Sequence, residues 1–200
     1  MEQKRDRATI LEEASESILA GSIEEASALI EREYPFEPIT PQKRTSTADR
    51  VIRIAVRDGF IDRYSGKKLV NPGLLRSLST LLPNGVFPFT PHWSMRETHA
   101  AYWELTPTLD HVKPIARGGR DAEENIVITS MMNNSIKSNW LLSEMNGWFL
   151  HEPGDIDDWN GLSATFLKLV ETHPDLLDNQ TIRSYHRATA KHLTERLFTA

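Results

Sequence analysis

Apolar positions in the first third of the chain keep a helical rhythm. Over residues 8–20, Ile10, Leu11, Ala14, Ile18 and Leu19 recur at three- and four-residue steps, which predicts an amphipathic helix stopped by Gly21. Ser22-Ile-Glu-Glu25 has the form of a capping box and opens a second helix to about Arg32, with Ala26, Leu29 and Ile30 inward. The pair reads as a helical hairpin with an acidic polar face, suited to scaffolding or dimerisation rather than to DNA contact. A proline-bearing loop over 35–46 follows. Ser46 or Thr47 then caps a third helix to Arg57, which buries Val51, Ile52, Ala55 and Val56 and ends at Asp58-Gly59. Residues 60–70 predict a β-hairpin turning near Ser65-Gly66, and 72–82 a short helix. Residues 83–93, rich in proline and aromatics, read as a loop packed on the core, and 99–105 as a short amphipathic stretch.

The rhythm changes after that. Residues 108–114 and 125–129 have strand character, with a loop at 116–124 between them and a helix from Met131 to about Asn139 after them. Two more helices are expected at 162–172 and 181–197, divided by Pro174. The expected class is α+β, in three parts: a hairpin and linker at 1–46, a core at 47–150, and a C-terminal helical extension at 151–200.

Composition narrows the class. The chain has 200 residues, 39% hydrophobic and 26% charged, as in ordinary soluble globular proteins. No apolar run is long enough for a membrane span, and residues 1–20 lack the core and cleavage site of a signal peptide, so the expectation is a cytoplasmic protein. Cysteine is absent, which excludes disulfides and thiolate metal ligands. The net charge of −5 opposes nucleic-acid binding, but charge is unevenly spread. Between Gln42 and Arg76 nine basic residues (Lys43, Arg44, Arg50, Arg53, Arg57, Arg63, Lys67, Lys68 and Arg76) face three acidic ones, whereas residues 151–180 carry seven acidic residues and one lysine. A local basic field is what a polyanion would meet.

The chemistry concentrates in LDHVKPIARGGRDAEENIVITSMMNNSIKSN, residues 109–139. Asp110 and His111 are adjacent, Asn125 follows fourteen residues after the histidine, Asn134 nine after that, and Lys137 three further on. A neutral imidazole can take a proton from water near neutral pH. A carboxylate and an amide oxygen are hard ligands that suit Mg²⁺. Neighbours on a regular strand point to opposite faces, so Asp110 and His111 can serve one site only where the strand ends or bulges. Asn134 and Lys137 share a helix face.

This segment resembles the HNH nuclease motif, a ββα-metal fold. The resemblance is specific over the motif, extends from Phe60 through Trp148, and leaves the terminal helices unexplained. It implies a DNA phosphodiester hydrolase with His111 as general base, Asp110 and Asn134 as ligands of Mg²⁺ or Mn²⁺, and Asn125 holding the loop and orienting the histidine. Lys137, Arg117, Arg120, Lys67 and Lys68 are the expected contacts to nucleic acid, and Gly118-Gly119 is read only as a turn. Many relatives of that family carry a structural zinc on two Cys-x-x-Cys pairs. The corresponding places here, residues 62–66 and 130–133, hold no cysteine, so no structural zinc is expected. Packing should replace it, with Tyr64, Trp103, Trp140 and Trp148 as buried anchors. His92 and His99 are further, weaker candidates for a ligand or substrate contact.

The leading expectation is therefore a metal-dependent endonuclease acting on double-stranded DNA, in restriction, other defence or a mobile element. A double-strand break by a one-site enzyme would need two copies, hence a homodimer. The alternatives are a module on the same scaffold that binds DNA or a partner without cutting it, and a delivered toxin domain.

Overall fold

The structure, a computed structural model, describes residues 5–36 and 46–197, with only the backbone for 195–197. Most of the expected 35–46 loop, with Lys43 and Arg44, lies outside the described residues. The chain forms two units, Met1–Thr40 and Pro41–Ala200.

The first unit is the helical hairpin, α1 (Arg7–Leu19) and α2 (Ile23–Glu33). Gly21 takes φ +88° between them, a conformation open to glycine at little cost. Ser22 precedes α2, but its side chain makes no capping bond, so the expected capping box does not form. Among the described residues of this unit only Ile10, Ala14 and Ala26 are buried; Leu11, Ile18 and Leu19 are exposed. Two helices alone can cover only a narrow stripe of each other.

The second unit mixes helices with a two-stranded antiparallel sheet, an α+β arrangement. Its helices are α3 (Ala48–Arg57), α4 (Pro72–Leu81), α5 (Ala101–Leu105), α6 (Met131–Lys137), α7 (Ser163–Thr172) and α8 (Gln180–Leu197). Thr47 caps α3 by accepting from the Arg50 N–H at 3.1 Å. The inward stripe of α3 is Val51, Ile52, Ile54 and Ala55, with Val56 only half-buried. That stripe packs with Phe60, Leu69, Ile126, Ile128, Ile156 and Ala188 in one core. A second core joins α4, α5, α7 and α8 through Leu74, Leu75, Tyr102, Phe166, Val170 and Ile182. The C-terminal helices thus share both cores with the middle of the chain. Asn71, fully buried, ties the start of α4 to α7 and α8 by donating to Ser163 Oγ and Thr189 Oγ1, both at 2.9 Å. No described helix is long and apolar enough to cross a membrane.

The sheet consists of β1 (Pro107–His111) and β2 (Ile126–Ser130), in register Asp110↔Val127 and His111↔Ile126. β1 ends at His111 rather than at Pro114, and Asn125 falls in a short 3₁₀ turn before β2. The expected 60–70 hairpin contracts to one bridge, Ile61↔Lys68. Asp62 N still donates to Lys67 O and Leu69 N to Phe60 O, both at 2.8 Å, while one amide of the segment, Arg63 N, turns to β2. The outer edge of β2 is satisfied atom by atom: Ile126 O accepts from Arg57 Nη2 (2.6 Å), Ile128 N donates to Asp58 Oδ2 (2.9 Å), Ile128 O accepts from Arg63 N (3.0 Å), and Ser130 N donates to Asp62 Oδ2 (2.9 Å). A buried edge left open would cost the desolvation of each group.

Asp62 is the busiest of these acceptors. Oδ1 takes Tyr64 N at 2.9 Å, Ser65 N at 3.3 Å and Thr129 Oγ1 at 2.9 Å, while Oδ2 also takes Asn133 Nδ2 at 2.8 Å. Apart from Thr129, these partners lie in two stretches, 62–66 and 130–133. A buried carboxylate links turn and helix start there. Of the expected aromatic anchors, Tyr64 is buried and Trp103 and Trp148 are half-buried, with the Trp148 ring 5.7 Å from that of Tyr64 and tilted by 42°. Trp140 is not an anchor: it follows the end of α6 and is 49% exposed.

Asp62→Ala strands several buried donors at once, and the expected loss is about 3 kcal/mol or more. Urea unfolding checks it; a midpoint within error of wild type would show that water replaces the carboxylate.

Candidate active site

β1 hands its side chains alternately to two sides. Asp110 turns to α6 and the 60–70 turn: Oδ2 accepts from Tyr64 OH at 2.6 Å and pairs with Lys137 Nζ at 2.7 Å. His111 turns to the loop after it, with Nε2 3.0 Å from Asp121 Oδ1. Both residues are mostly buried, and both line one polar cleft of about 230 Å³ with Pro114, Ile115, Asn134, Ser138 and Asn139. The two neighbours share a cleft because the strand stops at His111.

Asn125 holds the loop at that point. Its Oδ1 accepts from Lys113 N and its Nδ2 donates to Lys113 O, both at 2.9 Å, with a further 2.9 Å bond to Arg120 O. The side-chain amide thereby extends the ladder past the last backbone pair, Val112 N to Asn125 O at 2.9 Å. Gly119 passes so close that a methyl group in its place would collide with the Lys113 carbonyl. Gly118, at φ +78°, makes the turn before it.

α6 is stitched to β1 by residues one turn apart. Ser130 caps it, accepting from Asn133 N at 3.1 Å. Asn134 Nδ2 donates to Thr108 Oγ1 (3.0 Å) and Leu109 O (3.2 Å). Lys137 Nζ donates to His111 O at 2.7 Å besides its pair with Asp110. After it, Ser138 turns the chain at φ +46° on the wall of the cleft.

The expected nucleic-acid contacts divide accordingly. Lys137 is fully buried and satisfied inside the protein, so it does not present its charge to phosphate as expected. Arg117 bonds Glu144 at 2.6 Å, which ties the loop to the segment after α6. Arg120 is open to solvent, 3.7 Å from Glu124. Lys67 and Lys68 are exposed on the 60–70 turn, outside the cleft lining, with Lys68 4.6 Å from the Trp159 ring. His92 is exposed and His99 stacks on Phe87 at 4.4 Å; neither lines the cleft. The basic stretch of α3 is spent inside the fold: Arg50 pairs with Asp121 and Arg53 with Glu123 on the loop, and Arg57 with Asp58 at the end of the helix.

Three participants were not legible in the sequence. Tyr64 donates to Asp110, and burial, followed by the neighbouring carboxylate charge, pushes its phenol far above the ordinary range, so it stays a donor. Asp121 and Arg50 form the partner of His111. The Arg50 guanidinium holds the Asp121 carboxyl below the usual range, and the His111 bond adds to this. An acidic residue ten positions after the histidine was the one visible signal.

Comparison with protein-family models, curated proteins and solved structures gave no match.

The donor set allows a hard divalent cation. Among the described residues no three His, Cys, Asp or Glu side chains converge. Asp110 Oδ1 and Asn134 Oδ1 take no hydrogen bond among the described residues, and both residues line the cleft. Two oxygen ligands with water completing the shell suit Mg²⁺.

Lys137→Met should cost about 3–5 kcal/mol, since it leaves the Asp110 charge buried without its cation. Urea unfolding reads this, and adding Asp110→Asn should recover part of the loss. Equal stability of wild type and single variant would mean that the ammonium is not needed to offset the carboxylate.

Proposed function

We propose that the chain is a metal-dependent endonuclease of HNH type that hydrolyses DNA phosphodiesters in the Asp110–His111–Asn134 cleft. The observation that carries the reading is that one polar cleft is lined by a histidine, a carboxylate and an amide at the end of a strand–loop–strand–helix unit. The brace made by Asn125 supports the same reading, because it fixes the loop through which His111 is oriented.

In this reading the His111 imidazole accepts the proton of the attacking water. The water oxygen forms the new bond to phosphorus, the bond to the leaving oxygen breaks, and that oxygen takes a proton from solvent. Asp110 and Asn134 would hold Mg²⁺ or Mn²⁺, whose charge would offset that on the phosphate and the leaving oxygen. Arg120, on the loop after His111, supplies positive charge to the backbone of the substrate.

One observation favours a second reading, a non-cleaving DNA-binding module: Lys137 already neutralises Asp110 at 2.7 Å, which lowers the pull of the cleft on a cation. Conversion of supercoiled plasmid separates the two. Nicking that needs Mg²⁺ or Mn²⁺, stops in EDTA, and falls at least about 100-fold in His111→Ala is the expected result. DNA binding with no nicking in any metal would establish the second reading, and full cleavage by His111→Ala would remove His111 as the base.

A further inference from the structure

A protein places a histidine base not only by its position but by its tautomer, and the structure defines both for His111. An ionised carboxylate can only accept hydrogen bonds. Asp121 Oδ1 lies 3.0 Å from His111 Nε2, so this nitrogen carries the hydrogen. In a neutral imidazole the other nitrogen, Nδ1, then holds the lone pair. On the backbone side, Lys137 Nζ fixes the His111 carbonyl at 2.7 Å.

Asp121 itself is not left to the loop. Arg50 grips it with both arms of the guanidinium, Nη2 to Oδ1 at 2.7 Å and Nη1 to Oδ2 at 3.3 Å. This fork restrains rotation of the carboxylate in a way a single contact would not. Arg50 lies in the first turn of α3, beside buried Val51 and Ile52, and its own N–H is bound by the Thr47 cap. The imidazole is therefore referenced to the packed core through Arg50, although it stands at the end of a two-stranded ribbon.

We infer that Asp121 is a positioning residue for His111, held by Arg50, and that the pair sets the Nε2–H tautomer and leaves Nδ1 as the proton-accepting nitrogen. The inference deepens the nuclease reading and rests on it for the role of Nδ1. The depressed pKa of Asp121 agrees with an ionised acceptor but is not needed for the geometry.

The test reads the tautomer directly. In ¹⁵N-histidine-labelled full chain, with the imidazoles neutral, the His111 signals are assigned by comparison with His111→Gln. The expected result is Nε2 protonated and Nδ1 bare in wild type, a mixture of tautomers in Asp121→Ala and Asp121→Asn, and the wild-type pattern retained in Asp121→Glu. On plasmid DNA, Asp121→Ala and Asp121→Asn should lower kcat by about 10- to 100-fold, the size seen when a partner that orients a functional histidine is lost. KM should hardly change, and Asp121→Glu should recover part of kcat. Arg50→Lys, which loses the fork but keeps the charge, should fall between.

A hydrogen on Nδ1 in wild type, or a spectrum unchanged by Asp121→Ala, overturns the assignment even in an active nuclease. A tautomer that follows residue 121 in a chain that cuts no nucleic acid upholds the pairing and removes the nuclease reading. Circular dichroism of each variant excludes unfolding as the cause of a changed spectrum.

Discussion

A two-stranded antiparallel ribbon does not stand alone in water, and here everything near the cleft depends on how the outer edge of β2 is closed. Asp58 and Asp62, each 1% exposed, supply acceptors to the Ile128 and Ser130 amides, while Arg57 and the Arg63 backbone supply donors to the carbonyls. Side chains thus do the work of a third strand. The arrangement closes the outer edge of β2 without extending the sheet. It also couples α3, the 60–70 turn and the start of α6 to one strand. Loss of either carboxylate therefore disturbs several elements, not one bond.

Lys137 applies the same logic to the site. A buried ion pair is favourable only if its remaining polar atoms are met. Asp110 Oδ2 is met by Tyr64 and Lys137, and the ammonium by Asp110 and the His111 carbonyl. The Tyr64 ring lies 5.6 Å from that ammonium and adds an attractive face. The result is a rigid junction of turn, strand and helix in which one carboxylate oxygen is committed and the other is left to the cleft. The protein has a fixed positive charge built in beside the carboxylate, so any divalent ion must bind against it.

Local patterning was enough for much of this. Periodicity located α1, α2, α3, α4, α7 and α8 to within a few residues, and strand character around Asp110 and the β-branched run at 126–129 located the two strands. The need for the strand to end where two adjacent side chains serve one cleft follows from the pleat alone. What could not be read were pairings fixed by the tertiary fold. Arg50 and Asp121 are 71 residues apart, Tyr64 and Asp110 are 46 apart, and Asp62 and Ser130 are 68 apart. Nor does a helical period say whether a lysine at the end of a helix turns outward or inward. Lys137 turns inward because an unpaired Asp110 and a backbone carbonyl await it, and Trp140 turns out because α6 has ended before it.

The charge pattern gives the sharpest contrast between what a sequence counts and what a structure does with the count. The basic stretch from Arg50 to Arg63 looks like a surface for a polyanion. In the fold those guanidiniums meet carboxylates or carbonyls of the loop 121–126 and of Asp58. Their field is cancelled at short range, where Coulomb interaction is strongest, and their forks hold the loop that carries Asp121. Of this basic set, Arg50 meets Asp121, the partner of His111, and the others meet Glu123, Asp58 and backbone carbonyls. Arginine suits this use because it stays charged and its planar fork fixes direction as well as distance. The place of His111 at the end of a short strand is then no weakness: the loop beyond it is tied to α3, and α3 to the core.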